Sequence, residues 1–415
     1  MKAFYLSLSH ATQKSIKMIS ISEFVSVGHP DKVADYISEY LLDRYLERDP
    51  NVRYAVEVQI KGYDVTLAGE VTSTVKFDQQ EITGFVMDAV NEIGYTKEYA
   101  QKWGPENTIF ADALSVRTLI TEQSPDIAQG VDNDGWGDQG IFFGMAEDKL
   151  PRSLPEDYRI ARELGTELYL AAKQGVLDCG IDIKVQILYK GDGYPDGERH
   201  KVEKIIVAIP VKNEDEYPKL HDFIRTRRCV KWFDGATLII NGTGSFVKHG
   251  PIADCGTTGR KLAVDFYGGN CRIGGGSPWT KDGSKADLAL NLFAREMAMH
   301  QARLHGERVE VQLGCCIGRK EVDFRVTGER GQLLKEGTLT VGVKQLRDRY
   351  GLDKPIYADL CMLGLFARRE YPWEYLNMEG ISWQKKNSII LIFHSGCRIS
   401  SSAPRNGRAK RSITD

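Results

Sequence analysis

Three times along this chain of 415 residues, a pair of strand-length runs with alternating apolar positions is joined to a run with helical spacing, and no Pro/Ser-rich linker separates the sets. Alternation every second residue buries one face of a strand, and recurrence every three to four buries one stripe of a helix, so this order calls for sheets covered by helices. The spacing predicts a helix over 31–48, strands near 52–60 and 63–72, and a helix opening at Asp78, where Asp78 and Glu81 form a capping-box pair. Strands are expected near 109–117 and 139–146, then a helix over 156–174, strands over 182–190 and 202–210, a helix from Glu214 and a strand over 237–241. A helix over 284–304, strands over 308–317 and 321–327 and two short helices close the series. The expected class is α/β (α+β), one unit of several similar subdomains.

The chemistry concentrates between Asp254 and Asp287, where 34 positions hold eight glycines, five Arg or Lys and four Asp. Glycines let backbone N–H groups approach an anion, while Arg260, Lys261, Lys281 and Lys285 can neutralise phosphate oxygens. Carboxylates suit the metal ions that accompany a nucleotide. The segment therefore reads as a polyphosphate site. A second signature, SVGHPDK at 26–32, opens the first predicted helix. Free N–H groups there attract anions, so His29 and Lys32 are expected to reach a phosphate and Asp31 a metal, although Asp31 also suits a first turn for dipole reasons alone. A third cluster, Gln123–Gly140, is too rich in Gly and Asp to be core, and is expected to be a mobile loop beside the site with Trp136 as an apolar plug on closure.

The net charge of -2 gives no reason to expect nucleic acid or an acidic membrane surface as a partner. No apolar stretch is long enough to span a bilayer. The eight cysteines include no C-x-x-C pair, which points to free thiols in a reducing cytoplasm. The absence of a G-x-x-x-x-G-K-[ST] run speaks against a P-loop enzyme.

Taken together, SVGHPDKVAD, AVEVQIKGYDVTLAGEVT, GYTKE, QSPDIAQGVD with GDQG, DIKVQ, NGTGSFV, DCGTTGRK, VDFYGG, GGG, KDGSKAD and REYPWE, in this order from about Ile19 to Glu374, resemble S-adenosylmethionine synthetase, or methionine adenosyltransferase. The resemblance implies three related α/β subdomains about a pseudo-threefold axis with sheets packed inward, approximately 18–120, 121–250 and 251–377. Residues 1–17 would be an extension and 378–415 a basic tail without a family counterpart. It implies attack of methionine sulfur on the ribose C5′ of ATP, followed by cleavage of the released triphosphate to pyrophosphate and phosphate. It also implies magnesium, two ions per site, together with potassium, and a homodimer or homotetramer whose sites draw on both subunits.

By position in the matching motifs, the resemblance implies that His29 stabilises the leaving oxygen. Asp182, Lys184, Arg260, Lys261 and Lys281 would hold the polyphosphate and ribose, with Ser245, Ser277 and Asp138 also on ATP and Phe246 stacked on adenine. Glu70, Gln123, Asp254 and Lys285 would hold methionine, Asp254 also touching ATP. Asp31 and Asp287 would bind magnesium and Glu57 potassium. Ordinary structural roles compete: Asp287 completes a Ser284-x-x-Asp287 capping pattern, Glu57 and Lys184 suit solvent-facing strand positions, and Phe246 suits core. The chain departs from the family at Ile273 (commonly histidine), at Gly242 and Gly283 (commonly proline), in a short Gly/Asp loop, and at Cys315, Cys316 and Arg319. Those departures motivate an alternative, a catalytically weak paralogue that binds nucleotide or S-adenosylmethionine as a regulatory or assembly subunit.

Overall fold

The computed structural model describes residues 18–122, 134–148, 153–191, 201–230, 235–375, 378, 381 and 383–384. In chain order these form β1 (Met18–Val25), α1 (Pro30–Leu46), β2 (Arg53–Lys61), β3 (Asp64–Thr72), α2 (Gln79–Ile93), α3 (Lys97–Trp103), β4 (Ser115–Thr121), β5 (Gly140–Ala146), α4 (Glu156–Lys173), β6 (Lys184–Gly191) and β7 (Lys201–Ala208). There follow α5 (Glu216–Thr226), β8 (Thr237–Ile240), β9 (Gly256–Thr257), α6 (Leu262–Phe266), α7 (Ala286–His305), β10 (Val309–Cys315), β11 (Glu321–Gly328), β12 (Leu333–Thr340), α8 (Val343–Tyr350), α9 (Tyr357–Leu363) and β13 (Trp383–Gln384).

The strands build three sheets in the orders β4-β3-β2-β9, β1-β6-β7-β8 and β13-β12-β11-β10-β5. In each of the first two, an antiparallel hairpin carries an antiparallel strand on one side and a parallel strand on the other. That shared pattern is the structural trace of a repeat, and the fold is α/β (α+β) with three related sheet-and-helix units. On β2 the alternation is plain: Tyr54, Val56, Val58 and Ile60 are buried while Glu57, Gln59 and Lys61 face out. Helix α2 answers with Ile82, Val86, Ala89, Val90 and Ile93 on one stripe and opens on the expected Asp78–Glu81 capping box. Helix α4 covers β1 and β6, α7 covers β5 and β10, and one continuous apolar core joins all three units.

The sequence patterning missed several elements. No strand is expected at 18–25, yet MISISEFV pairs along its whole length with β6. The strand expected near 109–117 is a one-turn helix at Ala111–Ala113 followed by β4, none of whose positions is fully buried, so no apolar face marks it. Residues 383–384, within the expected tail, pair with β12. No helix among the described residues is long and apolar enough to cross a membrane.

Candidate functional site

The first turn of α1 organises one polar cluster. His29 is the N-cap, its Nδ1 accepting the Asp31 N–H at 3.2 Å, with Pro30 following at the first helical position. An accepting Nδ1 leaves the proton on Nε2. Burial, reinforced by the Lys184 and Lys261 cations, lowers His29 to about 3, so the imidazole is a neutral donor. Asp31 accepts the Thr257 N–H at 3.0 Å through Oδ1 and pairs with Lys261 through Oδ2, with Arg260 3.7 Å away. Burial pushes the Asp31 carboxyl up, but the Lys261 bond and the Thr257 N–H outweigh it and hold the group below the usual range. Gly256 is required for this approach: a Cβ there would stand 2.0 Å from the Pro30 carbonyl oxygen.

Asp182 joins this cluster from two residues ahead of β6. It is buried, accepts the Gly250 N–H at 2.9 Å through Oδ2, and keeps Oδ1 without a hydrogen-bond partner. Burial raises it to about 6. A buried acceptor without a donor is costly, and a ligand hydroxyl would satisfy it. Lys184 and Asp254 are exposed beside it, Asp254 accepting the Cys255 N–H at 2.8 Å. Phe246 is half-buried, outside the hydrophobic core, and Ser245 is exposed.

The second cluster gathers at the start of α7. Lys281 pairs with Asp287, and Gly276 leaves room for that carboxylate, since a Cβ at 276 would overlap it at 1.8 Å. Asp282 shapes the turn by accepting the Tyr54 and Ser284 N–H groups at 2.8 and 2.9 Å, and Lys285 lies 3.4 Å from it. The helix is capped by Lys285 without a side-chain bond and Ser284 Oγ is unpartnered, so the capping pattern read at Ser284–Asp287 does not form and Asp287 is free to serve Lys281. Glu70 stands in register with Ala55, which bridges Lys281 on its other side. Asp138 is exposed, and its carbonyl accepts from Cys315 Sγ at 3.3 Å. Ser277 is half-buried and accepts the Trp279 N–H at 3.2 Å.

Glu57 stands between the clusters on the outer face of β2. The Thr258 hydroxyl donates to one of its oxygens and the Thr280 hydroxyl to the other at 3.1 Å. Thr280 holds φ +72°, a left-handed conformation that costs a β-branched residue on the order of 1–3 kcal/mol. Asp31 and Asp287 supply oxygen ligands of the kind magnesium takes, one or two carboxylates with phosphate and water completing the shell, so they fit an ion that arrives with a nucleotide. Glu57 with two threonine hydroxyls is an all-oxygen set that fits a monovalent cation.

Three sequence expectations need correction or lie beyond reach. Lys32 does not reach the phosphate region: it is buried, paired with Asp265 at 2.6 Å and Asp35 at 3.1 Å, and stacked 4.5 Å over Trp279, because its place on the helix turns it into the core. Trp136 is no mobile plug, being fully buried with its backbone bonded to Arg319 and Gly318. Gln123 and the rest of 123–133 lie outside the described residues. The sequence reading also missed Asp35, Glu39 and Asp43, all buried on α1. Their spacing of four, in line with Asp31, is a signal that could have found them.

Residues 17–125, 133–246 and 248–375 match sequence models of the N-terminal, central and C-terminal domains of S-adenosylmethionine synthetase. Among related proteins, an S-adenosylmethionine synthase of Akkermansia muciniphila is 34% identical over 385 residues, covering 86% of this chain and 95% of that one. One of Maridesulfovibrio salexigens is 34% identical over 405 residues, covering 92% and 98%. A solved structure described as an unusual S-adenosylmethionine synthetase from Campylobacter jejuni is similar with a TM-score of 0.75 at 30% identity, covering 87% of this chain and 98% of that one.

Proposed function

Because the chain belongs to the S-adenosylmethionine synthetase family and makes S-adenosylmethionine from ATP and L-methionine, we propose that the two clusters flanking Glu57 are the two halves of its active site. A thioether is already a competent nucleophile, so the protein's work is to align sulfur with the ribose C5′ and to stabilise charge on the departing triphosphate. Neutral His29 donates through Nε2–H to the leaving oxygen. Lys184, Arg260, Lys261 and Lys281 hold the polyphosphate, Asp182 and Asp138 the ribose side, and Ser245, Ser277 and Phe246 the rest of the nucleotide. Glu70, Gln123, Asp254 and Lys285 hold methionine.

Asp31 and Asp287 would hold two magnesium ions and Glu57 a potassium ion. When bound, these ions offset phosphate charge. The observation that carries the reading is the state of the cations: Lys261 on Asp31 and Lys281 on Asp287 neutralise one another in the free protein, and both lysines are partly exposed. Each pair can reopen around a metal–phosphate group. A homodimer, possibly a homotetramer, is supported by apolar side chains exposed on sheet strands, Ile19, Ile21, Leu119 and Ile141. The seven described cysteines are all free, which supports a cytoplasmic setting.

The test is incubation with ATP, methionine and magnesium, with mass spectrometry for the sulfonium product and assay of inorganic products. The reading predicts one pyrophosphate and one phosphate per product. Phosphate release without the sulfonium would contradict it, and triphosphate as the sole inorganic product would contradict the second step.

A further inference from the structure

Down the buried face of α1, Asp31, Asp35, Glu39 and Asp43 recur every fourth residue, and each accepts backbone N–H groups from a distant segment. Asp31 takes Thr257 at 3.0 Å, Asp35 takes Gly259 at 2.8 Å, Glu39 takes Thr280, and Asp43 takes Tyr357 and Ala358 at 3.0 and 2.8 Å. A helix interior seldom carries a line of buried carboxylates, and this one fastens both polar clusters to a single rod.

The tightest fastening is at Thr280. Its N–H goes to Glu39 Oε1, its carbonyl accepts Val56 N–H at 3.1 Å, and its hydroxyl donates to Glu57 at 3.1 Å. These bonds hold the φ of +72° immediately before Lys281, whose backbone bridges Ala55. Glu39 is fully buried, its Oε2 has no hydrogen-bond partner, and burial pushes its carboxyl well above the ordinary range.

We propose that Glu39 is a positioning residue for the reaction: by holding the Thr280 N–H it sets the left-handed turn that places Lys281, without itself touching substrate. The inference rests on the reading of Lys281 as a phosphate ligand. Its basis is geometric, since a β-branched residue keeps a positive φ only where its surroundings over-determine it.

The experiment compares Glu39→Gln, Glu39→Leu and Lys281→Met in the full chain, by kcat and by KM for ATP and methionine, with circular dichroism and thermal melting of each. Glutamine keeps an acceptor oxygen for the Thr280 N–H and is expected to stay within about threefold of the parent kcat. Leucine removes the acceptor and is expected to lower kcat roughly 10- to 100-fold while KM for methionine stays within about twofold. Adding Thr280→Asn to Glu39→Leu is expected to recover part of the loss, because asparagine takes a positive φ more readily than a β-branched residue and keeps a side-chain oxygen and donor beside Glu57. A Glu39→Leu enzyme with parental kcat overturns the inference, as does a loss equally large in Glu39→Gln or untouched by Thr280→Asn. Unchanged turnover in Lys281→Met would instead remove the site reading, whatever the Glu39 variants do.

Discussion

Lys261 closes an ion pair with Asp31 across 230 positions of sequence, tying the glycine-rich segment to the first turn of α1. The carboxylate is thereby positioned before any metal arrives. Asp31→Asn leaves Lys261 without its partner and takes charge from the proposed metal ligand, so kcat is expected to fall by roughly 10²-fold and the magnesium concentration for half-activation to rise. Rate against magnesium concentration checks this, and an unchanged magnesium curve would remove Asp31 from the ligand set.

Glu57 receives hydroxyl donors from both halves of the site, Thr258 and Thr280. Glu57→Gln keeps the shape and loses the charge, so stimulation by potassium is expected to disappear while some basal rate persists. Rates with potassium and with a bulky organic cation at equal ionic strength provide the comparison. Equal stimulation in parent and variant would assign potassium elsewhere.

Gly283 has no room for a side chain. A Cβ at 283 would lie 2.3 Å from Leu352 Cβ and 2.8 Å from Tyr357 Oη. Gly283→Pro is therefore expected to destabilise the protein by about 1–3 kcal/mol, read as a lower melting temperature. A melting temperature at or above that of the parent would show that the contact relaxes freely.

His249 is buried, its Nδ1 donating to the Val247 carbonyl and its Nε2 accepting from the Tyr99 hydroxyl, both at 2.6 Å. Burial lowers it from 6.5 to about 4. The folded value lies below the unfolded one, so the stability it contributes is whole above pH 6.5 and is lost as pH falls from 6.5 through about 4, up to roughly 3 kcal/mol. Denaturant unfolding across that range should show a shallower decline in His249→Gln than in the parent. Parallel curves would mean that His249 titrates normally.

Much of this was legible in the residues. The glycines of 254–287 were legible as points of close approach, and Gly256 and Gly276 lie against the Pro30 carbonyl and the Asp287 carboxylate. The alternation on β2 and the stripe on α2 fixed those elements because each has one clean apolar face. Strand β4 escaped for the opposite reason, being partly exposed throughout. Lys32 misled because a lysine in a helix's first turn ordinarily faces water, and its burial is tolerable because Asp35 and the distant Asp265 pair with it under Trp279. The direction of Glu57 could not be read from its strand alone, since Thr258 and Thr280 come from segments some 200 residues away.

The most direct test of the two-cluster site is complementation between His29→Ala, which damages one cluster, and Lys285→Met, which damages the other. Each variant alone is expected to be nearly inactive. If one site draws its clusters from two copies, subunit exchange makes half the dimers mixed, each with one intact site, and activity should return to roughly a quarter of the parent level. A mixture no more active than its components, with exchange verified by mass spectrometry of tagged chains, would contradict a site shared between subunits.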